Sequence, residues 1–128
     1  MNYIVKKGSF IYVDGEIINT TLRKFLNDLP KPYFKTIISI RETVRTKLNI
    51  KRNIPLYISK EILLVPINID DGRYFINFNK VKETYTKDKT TTILFNDCSS
   101  INLNISKRFI DRINKNVEKL RDYISLID

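Results

Sequence analysis

The chain contains no His, no Trp, no Ala and no Gln. Without His, the usual general base near neutral pH is missing. A zinc site would have only Cys98 and carboxylates as ligands. The single cysteine excludes an internal disulfide framework. The longest uncharged apolar run, from Ile62 to Ile69, contains Pro66 and Asn68 and falls far short of the ~20 residues that span a bilayer. Met1 to Phe10 has two lysines, no apolar h-region and no small-residue cleavage site, so no secretory signal is expected. No paired catalytic constellation is visible, so neither enzymatic activity nor a metal or cofactor is expected.

What is present is 21 Ile, 15 Lys and 13 Asn. These residues share A/T-rich codons, which points to an AT-rich genome. Hydrophobic residues are 42% and charged residues 29% of 128 positions, enough for one packed domain over 1–128. The net charge of +9 is uneven. Residues 23–53 hold Arg23, Lys24, Lys31, Lys35, Arg41, Arg45, Lys47, Lys51 and Arg52 against Asp28 and Glu42, a local charge of +7. Residues 1–22 and 54–105 each sum to zero, and 106–128 to +2. Clustered positive charge is the footprint of a polyanion binder, and it is also what a solvated face in a lysine-rich protein looks like. No strongly apolar face accompanies the charge, so an acidic membrane surface is a weaker fit.

Phe10 to Val13, Asp14-Gly15 and Glu16 to Ile18 read as a hairpin, because Asp-Gly tolerates the positive φ angles of a primed turn. Leu22, Phe25, Leu26 and Leu29 have helical spacing, and Pro30 and Pro32 end that helix. Residues 33–50 are predicted as a second helix with the stripe Tyr33, Ile37, Ile40, Val44 and Leu48. Arg41, Arg45 and Arg52 fall on one flank of this stripe, and Lys47 and Lys51 on the other. Strands are predicted at Ile54–Ile58, Ile62–Ile69, Tyr74–Phe78, Val81–Tyr85, Thr90–Phe95 and Ser100–Ile105. Pro55 and Pro66 read as strand-edge or bulge positions. Ser106 caps a final helix with the stripe Phe109, Ile113, Val117, Leu120 and Ile124. The fold class is therefore α+β: a mostly antiparallel sheet of about five to seven strands, an internal amphipathic helix and a C-terminal helix.

Ser39-Ile40-Arg41, Arg52-Asn-Ile-Pro55-Leu56, Leu64-Val65-Pro66-Ile67, Phe75-Ile76-Asn77 with Lys80-Val81, Thr92 to Asp97, and Leu103-Asn-Ile105-Ser106 form an ordered series. From Ile38 to about Val117, the chain resembles in order and spacing the family of the competence transcription factor ComK, known from low-GC Gram-positive bacteria. The family's Trp is replaced by Phe75, the Thr of its Phe-Pro-Thr by Ile67 and its turn Gly by Asp97. The Gln of its final helix is absent.

The resemblance implies a cytoplasmic, nucleoid-associated transcription regulator with double-stranded DNA as partner. Such proteins bind paired A/T-rich boxes as dimers of dimers, largely through the minor groove. Its width and negative potential are read by Arg and Lys. The residues expected to contact DNA are Arg41, Arg45, Lys47, Lys51 and Arg52, with Lys35 in support. Only Arg41 and Arg52 sit at motif-matched basic positions. Lys80 and Lys82 are second choices. Arg73 beside Tyr74 and Phe75 reads as a stacking cluster or, more simply, as a turn residue beside a core ring. A homo-oligomer follows from the family, as does a proteolytic adaptor, although the tail that would engage it is missing or much reduced here. Two other readings stay open. One is a LytTR-like DNA-binding domain. The other is a protein-interaction module that modulates a full-length regulator.

Overall fold

A computed structural model describes residues 1–127. The strands are β1 (Tyr3–Lys7), β2 (Phe10–Val13), β3 (Glu16–Ile18), β4 (Leu56–Ser59), β5 (Ile62–Ile69), β6 (Gly72–Asn77), β7 (Val81–Lys87), β8 (Thr90–Phe95) and β9 (Ser100–Leu103). The helices are α1 (Leu22–Asp28), α2 (Ile37–Leu48) and α3 (Lys107–Ile127). Six strands form one antiparallel sheet in the order β3-β2-β1-β6-β5-β4, and β7-β8-β9 form a second. The α+β class, the internal helix and the C-terminal helix are as predicted.

The large sheet is buried on both faces. Val5, Leu63, Val65, Ile67 and Ile76 pack with Ile93, Phe95 and Leu103 of the small sheet and with Ile110, Ile113, Val117 and Leu120 of α3. Ile4, Ile11, Leu56, Ile58, Leu64 and Phe75 pack under Leu22 and Leu26 of α1 and under Ile37 and Ile40 of α2. This explains why β5 reads as continuously apolar rather than alternating: successive side chains enter different cores. Helix α2 runs beside the edge strand β4 and changes core along its length, because Val44 and Leu48 join the first group.

Three details differ from the sequence reading. Strand β1 was not predicted, yet it lies mid-sheet between β2 and β6. Gly72 permits that pairing, since a Cβ there would stand 2.9 Å from the Lys6 carbonyl oxygen. Helix α2 begins at Ile37, not at residue 33. A 3-10 turn over Lys31–Tyr33 precedes it, and Tyr33 is exposed rather than part of the stripe. Helix α2 also ends at Leu48, where Asn49 takes a left-handed conformation (φ 55°). Pro66 is tolerated because β4 pairs only as far as Leu64 and does not reach it.

Buried Asn77 stitches the middle together. Its Oδ1 accepts from the Leu63 and Asn79 backbone N–H groups at 3.0 and 3.2 Å. Its Nδ2 donates to the Met1 and Glu61 carbonyls at 2.8 and 2.9 Å. On the opposite end of the same strand pair, the Tyr74 hydroxyl donates to Asp71 at 3.2 Å. Burial pushes the Tyr74 phenol up to about 12, and the neighbouring Asp71 carboxylate pushes in the same direction.

Candidate nucleic-acid interface

Helix α2 starts where it does because Thr36 and Ser39 cap each other's backbone. Thr36 Oγ1 accepts from the Ser39 N–H at 3.1 Å, and Ser39 Oγ accepts from the Thr36 N–H at 3.3 Å. Replacing Thr36 by Ala should cost about 1 kcal/mol in a urea titration. The same change should loosen the first turn, Ile37 to Ile40, which leads directly into Arg41. An unchanged unfolding midpoint would show that the cap is idle.

With α2 ending at Leu48, Lys51 and Arg52 belong to the α2–β4 loop, and no helix periodicity relates them to Arg41 and Arg45. Asn53 fixes this loop. It has φ 48°, a conformation Asn tolerates better than most residues. Its Nδ2 donates to the Pro66 carbonyl at 2.8 Å, and its Oδ1 accepts from the Arg112 guanidinium at 2.8 Å. The loop is thereby tied to both β5 and α3.

The six predicted contact residues fall into three groups rather than one patch. Arg41 and Arg45 share one flank of α2, and Arg45 pairs with Glu42 at 3.1 Å. Lys35 and Lys47 lie on the other flank, along a groove of about 290 Å³ between α2 and the end of α3. The Lys35 ammonium stands 5.1 Å from the centre of the Tyr57 ring in that groove. Lys51 and Arg52 line a separate depression of about 350 Å³, whose far wall is Arg112, Asn116 and Lys119 of α3.

That depression contains the two residues the sequence reading missed. The Arg112 guanidinium is anchored on Asn53 and lies 4.9 Å over the Phe109 ring. Lys119 donates to the Leu48 carbonyl at 2.6 Å, placing a cation at the C-terminus of α2. Four positive side chains, two Asn side chains and no carboxylate line the site. Such a set suits a phosphate group. One signal was available: Arg108, Arg112, Lys115 and Lys119 recur at helical spacing on one face of α3. The net charge over 106–128 averaged them with the carboxylates of the same helix. One of those, Asp111, is paired with Lys107 at 2.7 Å.

The second-choice residues are less available. Lys80 pairs with Glu61 at 2.8 Å and holds that carboxyl below the usual range. Lys82 is exposed on β7. Phe75 is core, and the exposed Arg73 lies 5.2 Å over its ring. Cys98 is exposed in the β8–β9 turn. Among the described residues no helix is long and apolar enough to cross a membrane, and no cluster of three potential metal ligands occurs. No protein family, curated protein or solved structure matches this chain.

Proposed function

We propose that the protein is a DNA-binding transcription regulator of the ComK type, acting on A/T-rich duplex as a dimer or higher oligomer in the bacterial cytoplasm. The observation that carries this reading is the carboxylate-free depression lined by Lys51, Arg52, Arg112 and Lys119. Asn53 and the end of α2 hold Arg112 and Lys119 there, beside the exposed Lys51 and Arg52 from a distant part of the chain. Phosphate neutralisation at this site supplies affinity without sequence preference. The half-buried Arg41 and the exposed Arg45, which would exchange Glu42 for DNA, are the side chains that would read a narrow minor groove. The A/T preference itself rests on the family resemblance of the segment from Ile38 to about Val117.

The test is a binding titration with A/T-rich and G/C-rich duplexes of equal length over a range of salt. The expected result is a preference for the A/T-rich duplex and a steep fall in affinity with salt. A minor-groove competitor should block binding, whereas a LytTR-like reader of the major groove would be unaffected. Equal affinity for both duplexes at moderate salt rejects the ComK-type reading.

A further inference from the structure

We propose that Phe34, with Ile38 beside it, is an apolar wedge that enters the minor groove of bound duplex DNA and unstacks one base step. The proposal rests on the duplex-binding reading above and deepens it. Phe34 is 99% exposed and Ile38 is 74% exposed. Neither is a mobile tail residue. The Tyr33 and Lys35 N–H groups donate to the Pro30 carbonyl at 3.0 and 3.3 Å, and the Phe34 N–H donates to the Lys31 carbonyl at 3.0 Å. Pro30 and Pro32 restrict the same turn.

Phe34 also occupies the left-handed region, with φ 58° and ψ 36°. That conformation is strained for a bulky side chain and comfortable for Asn or Gly. The chain thus carries an aromatic ring where both solvation and backbone geometry disfavour one. Strain of this kind collects at functional sites.

The surroundings favour DNA as the occupant. Ile38, Arg41 and Arg45 share one face of α2 at i, i+3 and i+7 spacing, so the exposed apolar side chain adjoins Arg41, with Arg45 one turn further along. Glu42 on that side is taken up by Arg45 at 3.1 Å. Lys31 and Lys35 flank Phe34 in the sequence, the first paired with Asp28 and the second turned to the Tyr57 ring. The nearby Asp28 is neutralised by Lys31 at 2.8 Å and Lys24 at 3.2 Å, which hold its carboxyl below the ordinary range. An apolar side chain inserted between base steps, with Arg and Lys in the groove beside it, is how minor-groove proteins kink DNA. A lipid surface would call for a broad apolar face, and Phe34 and Ile38 with the partly exposed ring of Tyr33 do not make one.

The experiment uses the full chain and an A/T-rich duplex carrying 2-aminopurine at successive steps, with dyes at the duplex ends to report bending. The wild-type protein should raise 2-aminopurine fluorescence at one step and bring the ends together. Phe34→Asn should lose both signals and bind roughly tenfold more weakly. Its salt slope should be unchanged and its melting temperature equal or higher. Phe34→Leu should retain most of the unstacking. Binding without unstacking, or equal unstacking by Phe34→Asn, overturns the wedge and leaves duplex binding standing. Absence of any duplex binding removes both readings. If Phe34→Asn instead loses only binding to phosphatidylserine-rich vesicles, the tip is a membrane contact and the wedge is wrong.

Discussion

Reversing Lys51 and Arg52 together to Glu should weaken duplex binding on the order of a hundredfold at moderate salt. Each phosphate contact contributes about 0.9 to the slope of log K against log salt, so losing two should flatten that slope by about two. Added repulsion from the new carboxylates enlarges the loss. Stability should hardly change, within about 0.5 kcal/mol, because both side chains are exposed and no described hydrogen bond or ion pair depends on them. Fluorescence anisotropy over a salt series, with thermal melts in parallel, reads all three quantities. Unchanged affinity and slope would remove this depression from the interface. The same pair of reversals at Arg41 and Arg45 tests the other flank of α2 separately. Arg112 is a poorer probe, since its loss also frees Asn53 and disturbs the loop.

The largest stability effect is expected at Asn77. Replacement by Ala removes four hydrogen bonds at a fully buried position. The buried Leu63 N–H loses its acceptor, and the Met1 and Glu61 carbonyls lose their shared donor. A buried polar group left without a partner costs about 1–3 kcal/mol. The sum should reach roughly 3–5 kcal/mol, a large share of the ~5–15 kcal/mol typical of a folded domain. Urea denaturation measures it directly. A loss under about 1 kcal/mol would mean that water or a shifted turn replaces the amide.

Periodicity and turn chemistry made much of the fold legible. Asp14-Gly15 announced the hairpin, and both residues have positive φ. The stripe Ile37, Ile40, Val44 and Leu48 is buried as its spacing requires, and Ser106 caps α3 by accepting from Phe109 at 3.1 Å. Errors arose where a local pattern admitted two answers. Tyr33 stands four residues before Ile37 and so fitted the helical stripe. The Thr36–Ser39 pair was the better sign of where the helix begins. Strand β1 offers only Tyr3, Ile4 and Val5 before Lys6 and Lys7, too short a run to mark a central strand. The phosphate-suited depression was hidden for another reason. It joins the α2–β4 loop to α3, and no sequence period links residues that meet only through tertiary packing.

The position of β1 bears on how the chain acquires its structure. Tyr3 pairs with Ile76 and Lys6 with Arg73, so the first strand made must wait for the sixth. The β1–β3 meander can form early during synthesis, but its inner edge stays open until β6 has left the ribosome. Closing so distant a contact costs chain entropy before any packing rewards it, which places this domain among the slower folders for its size. In that interval Ile4, Val5 and an unpaired strand edge are available to other chains. Lys6 and Lys7, at the end of the same strand, place two positive charges beside that open edge and repel a second copy of it.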